Sequence, residues 1–202
     1  MSRGNSQRGW TLIELLIAST VAMLLLTMVV WFLVPAMRFS IEGTAKVELQ
    51  ESAVMALNKM IADLQLSPAS GISISTDPPA VAINRIEQID ANGSPQYEDK
   101  LRVYWYDSGR QQLTLEEYPP DPPGLGLTFV AGRPTKITSL DLQQIAQQTN
   151  NQERFLAGNV QSFSVTQQAG VIILVLQMDK EIPHTERRAQ VTLSRRIHLR
   201  NS

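Results

Sequence analysis

The chain has 202 residues and no cysteine, which excludes disulfides, thiol catalysis and thiolate metal sites. Its 18 basic and 19 acidic residues nearly cancel, to a formal charge of −1, so it is not a strongly cationic nucleic-acid binder. The length allows one membrane-embedded helix and one small further domain, and without disulfides an exported domain must rely on its own core.

The first nine residues contain Arg3 and Arg8 and no acid, which by the positive-inside rule keeps the N-terminus cytoplasmic. From Leu15 to Val34 the chain carries no charge, and only Ser19, Thr20 and Thr27 interrupt the apolar run. Such a run is about the length a helix needs to cross a ~30 Å hydrocarbon core. Glu14 stands at its edge, where an unpaired carboxylate is costly and demands a reason. A secretory signal peptide would have a shorter apolar core, followed by its cleavage site, and would be lost from the mature protein. Here a glycine junction precedes the run, so cleavage after Gly9 would leave the helix in place.

After Pro35 the pattern becomes amphipathic. Val47, Val54, Leu57, Ile61 and Leu64 are spaced 7, 3, 4 and 3 apart, the period of one helical face, while Lys46, Glu48, Gln50, Glu51, Asn58, Lys59 and Asp63 occupy the others. The spacing predicts a helix from Leu12 to Leu66, ending before Ser67-Pro68, with a bend near Pro35 or Gly43. Its first half (to residue 36) is expected in a membrane or filament core. Its second half (37–66) should lay an apolar stripe on a sheet, leaving 67–202 as a β-rich domain.

In that domain, Ser70–Ile74 and Val81–Ile83 are short extended candidates separated by Asp77-Pro78-Pro79, and Asn92-Gly93 is a tight-turn signal. Leu101, Val103 and Trp105 alternate with Arg102, Tyr104 and Tyr106; a turn at 107–110 follows, then Leu113 and Leu115 alternate with Thr114 and Glu116. This predicts a hairpin with one buried face. Pro119, Pro120, Pro122 and Pro123 end it, Ser139–Gln148 reads as a short helix, and Thr149–Gln152 reads as a polar loop. Gln161–Thr166 reads as a strand. The continuous apolar run Val171–Leu176 predicts a strand covered on both faces. Val191, Leu193, Ile197 and Leu199 share one parity; Arg195 falls on the same parity and needs a bulge or an edge position. No internal repeat is present.

The short basic leader ending Arg8-Gly9, the bulky Trp10 and the glutamate four residues later resemble the cleavage and methylation motif of type IV prepilins and type II secretion pseudopilins. The resemblance implies cleavage after Gly9 by a prepilin peptidase and N-methylation of the new terminus, Trp10, although tryptophan departs from the phenylalanine or methionine usual there. It implies that Glu14 serves assembly, that Pro35 kinks the helix, and that the fold is α+β: a long N-terminal helix, transmembrane in its first half, packed on an antiparallel sheet. Partners would be other pilins, met through the helix, and an inner-membrane assembly platform. The chain would be anchored by a single pass with its C-terminal domain periplasmic, then move into a pilus or pseudopilus. Leu57–Leu64 and Leu193–Asn201 look like the corresponding stretches of W-type minor pilins and J-type pseudopilins.

Enzymatic chemistry is not expected. The chain has no Walker loop, His-x-x-x-His pair or Gly-x-Ser-x-Gly elbow, and no cofactor is implied. Gly124-Leu125-Gly126 is a loop after prolines, and His184 and His198 read as surface residues. Asp77, Glu87, Asp90, Glu98 and Asp99 match no metal motif and read as a solvated face; calcium-binding loops of some pseudopilins are the alternative. Arg187, Arg188, Arg195, Arg196 and Arg200 read as solvated strand edges, or else as a patch that contacts DNA phosphates. The expected function is a minor pilin or pseudopilin; the rival is a membrane-anchored binding module, for DNA or a secreted substrate, that never enters a filament.

Overall fold

Leucine is the commonest residue of the N-terminal run and favours helix, and the chain takes that conformation without a break. The computed structural model describes residues 11–118, 127–130, 132–147, 153–168, 170–183 and 187–199. Helix α1 spans Leu12–Gln65 and passes through Pro35 and Gly43. The Pro35 ring removes the donor that would otherwise meet the Trp31 carbonyl. The last turn tightens, with Leu66 N–H donating to Asp63 O and Ser67 N–H to Leu64 O, both at 3.2 Å, before Pro68 stops it. The residues divide into two compact units, 1–44 and 45–202, with the boundary inside α1.

The second unit follows α1 with a 3₁₀ turn, Ala69–Gly71, and then strands β1 (Ile72–Thr76), β2 (Pro79–Ile83), β3 (Ile86–Ile89), β4 (Pro95–Tyr97), β5 (Leu101–Asp107) and β6 (Gln112–Tyr118). Helix α2 (Ser139–Gln147) and strands β7 (Arg154–Ala157), β8 (Val160–Gln168), β9 (Val171–Glu181) and β10 (Arg188–His198) complete it. All pairings are antiparallel, in a five-stranded sheet ordered β1-β2-β5-β6-β7, a three-stranded sheet ordered β10-β9-β8, and the hairpin β3-β4. The result is the α+β, pilin-like layout that the resemblance implies.

Two cores organise this unit. In the larger, Ala45, Leu49, Ala53, Ala56, Leu57, Met60 and Leu64 of α1 meet Ile72, Val81, Ile83, Tyr104, Leu113 and Leu115 of one sheet and Phe163, Val165, Ile172, Leu174, Leu176 and Met178 of the other. The predicted stripe is therefore corrected. Val47 is exposed, Val54 and Ile61 are only partly buried, and the true stripe is built on alanines that leave room for the sheet. In the smaller core, Leu142, Ile145 and Ala146 of α2 cover Ala80, Ala82, Leu101, Val103 and Tyr118. The β5–β6 hairpin is thus buried on both faces rather than one, because α2 closes the second. Strand β9 departs in the opposite sense: Ile172, Leu174, Leu176 and Met178 are buried, but Val171, Ile173 and Val175 are half-exposed, because its sheet has only one covered face.

The turns follow local chemistry. Gly93 adopts a left-handed φ of 80° in the β3–β4 loop, and Asp90 Oδ1 accepts the amides of Asn92 and Ser94 at 2.9 and 2.7 Å. In the β5–β6 turn the left-handed residue is Gln111 (φ 53°), while Asp107 Oδ1 takes the amides of Gly109 and Arg110. The fully buried Asn84 clasps three segments. Its amide nitrogen donates to the carbonyls of Glu98 and Lys100, its side-chain oxygen accepts from Thr135 N–H, and its own carbonyl accepts from Ser67 Oγ at 2.7 Å. Gly71 lies against this clasp, where a Cβ would stand 2.9 Å from Ser67 Oγ and 3.0 Å from the Asn84 carbonyl.

Asp63, assigned by sequence to the polar side of the helix, is 1 % exposed. It accepts a very short bond from the Tyr104 hydroxyl and one from Arg85 at 2.9 Å, with Lys59 and Arg102 both 3.5 Å away. Burial, followed by the Asp63 carboxylate, pushes the Tyr104 hydroxyl pKa far up and keeps it a donor. Arg102 turns also to Glu98, and Lys100 to Glu117 at 2.7 Å, a bond that holds the Glu117 carboxyl below its usual range. Asp63→Ala in the full chain should destabilise the C-terminal unit toward the lower end of ~3–5 kcal/mol, because Glu98 still faces both arginines. Tyr104→Phe should cost about 1–3 kcal/mol by leaving one Asp63 oxygen with Arg102 alone, at 3.5 Å. Denaturant unfolding in detergent, followed by tryptophan fluorescence, checks both; wild-type midpoints would mean the cluster is ornamental.

Candidate functional site

The sequence Thr11-Leu12-Ile13-Glu14 places a hydroxyl and a carboxylate three residues apart at the start of α1. Thr11 is the N-cap: its backbone N–H and its hydroxyl both donate to Glu14 Oε2 at 3.0 Å, and Glu14 N–H donates back to Thr11 Oγ1 at 3.3 Å. This is a capping box, and it places the negative charge at the positive end of the helix dipole. Leu15 N–H then donates to Thr11 O at 3.2 Å and opens the ladder. The structure thus gives Glu14 a local partner that the motif reading missed, although the Thr-x-x-Glu spacing was there to be read. Helix α2 starts the same way, with Thr138 and Asp141 exchanging the same bonds.

Beyond Glu14 the helix is long and apolar enough to cross a membrane, and none of its most apolar window is buried. Every side chain from Leu12 to Val34 is exposed, Leu12, Trp31 and Phe32 most of all. The hydroxyls within this run turn inward. Ser19 donates to Leu16 O at 2.9 Å, Thr20 to Leu16 O and Ile17 O, and Thr27 to Met23 O at 2.8 Å. The helix carbonyls therefore absorb the polarity that lipid would penalise. Leu24, Thr27, Met28, Trp31, Phe32 and Pro35 recur at helical spacing and line one shallow groove along the helix.

The other predicted residues are placed as follows. Gly9 and Trp10, the leader arginines Arg3 and Arg8, the proline run, Gly124-Leu125-Gly126, the 149–152 loop, His184 and Arg200 lie outside the described residues. Arg188 pairs with Asp179 at 2.9 Å, and Arg195 and Arg196 lie opposite Leu174 and Ile173 in unbroken register on β10. Neighbours in a strand point to opposite faces, so the strand does not gather these two on one surface. Of the acids, Glu87, Asp90, Glu98 and Asp99 line a cavity of about 450 Å³ with Tyr97, Phe129 and Arg133, while Asp77 belongs to the β1–β2 turn. Glu98 is committed to Arg85 and Arg102, and Asp90 to its turn. Among the described residues no group of three or more histidines and acids is placed to hold a metal ion.

The capping box predicts that Thr11→Val frays the first turn. Amide exchange at Glu14 and Leu15 should accelerate in micelles, while the unfolding midpoint of the 45–202 unit stays unchanged. Unaltered exchange would show that the helix start does not depend on the hydroxyl.

The family model described as the prokaryotic N-terminal methylation motif matches residues 4–30, from within the leader, across the Gly9–Trp10 junction and Glu14, and into the apolar helix. No curated protein and no solved structure matches the chain. An apolar helix suited to membrane anchoring, an α+β domain of pilin-like layout and this motif coincide in one chain. It carries the processing motif characteristic of the type IV prepilin and pseudopilin family.

Proposed function

We propose that this chain is a minor pilin or pseudopilin, a non-enzymatic subunit of a type IV pilus or type II secretion pseudopilus. Prepilin peptidase would cut after Gly9 and expose Trp10 as a methylated terminus, leaving α1 as an inner-membrane anchor with the β-rich domain in the periplasm. Assembly would then transfer the apolar half of α1 from lipid to the packed helices of other pilins, guided by an inner-membrane platform. The observation that carries this reading is the exposed apolar first half of α1 with its single carboxylate in the first turn, where the methylation motif matches. Within the family, the W-type and J-type likenesses rest on stretches that build the core: Leu57, Met60 and Leu64, and Ile197 and Leu199, are buried together.

In this reading Glu14 meets the cationic terminus of a neighbouring subunit and sets axial register. The capping box makes that role separable from helix initiation. Glutamine retains the capping geometry but lacks charge, whereas leucine loses both. Glu14→Gln and Glu14→Leu should both be cleaved and inserted normally, and both should enter sheared filaments several-fold less than the parent at matched expression. Parental incorporation of Glu14→Gln would confine the carboxylate to capping and overturn the register role.

Processing is tested separately. Gly9→Val should leave the leader attached, and mass spectrometry of the assembled parent should find its terminus at Trp10. An intact Met1 in assembled protein would sink the proposal. Retention in the membrane fraction with or without the assembly ATPase would favour the anchored binding module instead.

A further inference from the structure

The second face of the five-stranded sheet is closed by α2, and a carboxyl group is buried beneath that closure. Strand alternation puts Glu116 and Tyr118 of β6 on the same face as Leu101 and Val103 of β5, with Val103 directly opposite Glu116. Glu116 is 0 % exposed. Trp105 Nε1–H donates to its Oε1 at 2.9 Å. Its Oε2 lies 2.5 Å from the Tyr118 hydroxyl oxygen, which in turn lies 2.6 Å from the Ile145 carbonyl oxygen on α2. Both contacts are at the short end of the O–H···O range, so each requires its own proton. A phenol has one, and a carbonyl has none. The second proton must therefore reside on Glu116.

We propose that Glu116 is a neutral carboxylic acid donating to Tyr118, that Tyr118 donates to the Ile145 carbonyl, and that this relay is a pH-sensitive latch holding α2 on the sheet. The relay answers a local need. Helix α2 ends at Gln147, so the Ile145 carbonyl is among the last four, which have no partner within the helix. Tyr118 supplies that partner, and a protonated neighbour leaves the phenol hydrogen available to do so. An ionised Glu116 would instead compete for that hydrogen and place a negative charge beside the negative end of the helix dipole.

The surrounding charges do not oppose this. Just before β7, Glu153 acts on Glu116 with like sign and is itself 3.6 Å from Arg110. On β6 and β5, Glu117 and Arg102 point to the other face, where they join the Asp63 cluster. On α2 the acid is Asp141, occupied at the far end by Thr138. In the segment before α2, Arg133 lines the cavity beside Glu98 and Lys136 lines a cleft against β1 and β8. Burial, reinforced by Glu153, raises the Glu116 pKa against the weaker pull of the Trp105 bond. A folded-state value above the unfolded one means the latch is complete below the ordinary glutamate range and is lost as pH rises through the folded value. The helix should loosen toward alkaline pH, not acid.

The test uses the full chain in detergent micelles. The infrared band of a protonated carboxylic acid should persist as pH rises past the ordinary glutamate range, and vanish in Glu116→Gln. Amide protection of α2, corrected for intrinsic exchange, should fall about tenfold for each pH unit by which the folded value exceeds the unfolded one. Glu116→Gln, which can still donate to Tyr118 and accept from Trp105, should keep α2 protected and flatten that slope. Tyr118→Phe should lower protection at every pH and also flatten it. A parent whose acid band is lost within the ordinary glutamate range, or whose α2 protection is independent of pH, would overturn the latch; both readings need no variant to fold.

Discussion

The fold of the 45–202 unit depends on how Asp63 is accommodated. A carboxylate in the last turn of a helix that packs on a sheet would be expelled to water unless the sheet met it, and the sheet does so with Tyr104, Arg85 and Arg102. Those residues come from β5 and from the segment between β2 and β3, so the bond set fixes helix rotation and strand placement together. The apolar stripe of alanines and leucines supplies the driving force, but a stripe can slide. A buried, multiply bonded acid specifies one position. The Asn84 clasp acts beside it, tying the end of α1 to the loop before β5 and to Thr135.

The two acids toward the ends of α1 follow opposite physics. Asp63 is buried and tolerated because cations and a phenol surround it. Glu14 is fully exposed and tolerated because the helix start supplies an amide and a hydroxyl donor, both from Thr11, and a favourable dipole. The capping explanation and the proposed assembly role are compatible, since a carboxylate held by Thr11 through Oε2 still presents its other oxygen.

Much of the architecture was legible because it rests on local signals. Periodicity placed α1 to within a residue at its C-terminus, Ser67-Pro68 marked its stop, and Asp77-Pro78-Pro79, Asn92-Gly93 and the 107–110 turn located three hairpins. What escaped was set by tertiary partners. Alanine carries little hydrophobic signal, so Ala45, Ala53 and Ala56 were passed over in favour of Val47, which is exposed. Asp63 and Glu116 read as surface residues, because nothing in one dimension announces that Tyr104 or Tyr118 will meet them. The continuous run in β9 looked doubly covered, yet its sheet is a half-solvated three-strander. At the candidate site the motif residues were readable, but the Thr11–Glu14 reciprocity was obscured by the attention the glutamate drew to itself.

Strand β10 has one more consequence. It is an eleven-residue edge, and a long regular edge with an apolar row invites pairing with another chain's edge, the route into disordered sheet aggregates. Val191, Leu193 and Ile197 would form such a row, but Arg195 interrupts it opposite Leu174, and Arg196 charges the reverse face beside Ile173. A protein that associates through its helix, as proposed, gains from an edge that refuses partners. In that reading the two arginines are gatekeepers, keeping polymerisation with α1 and away from the sheet.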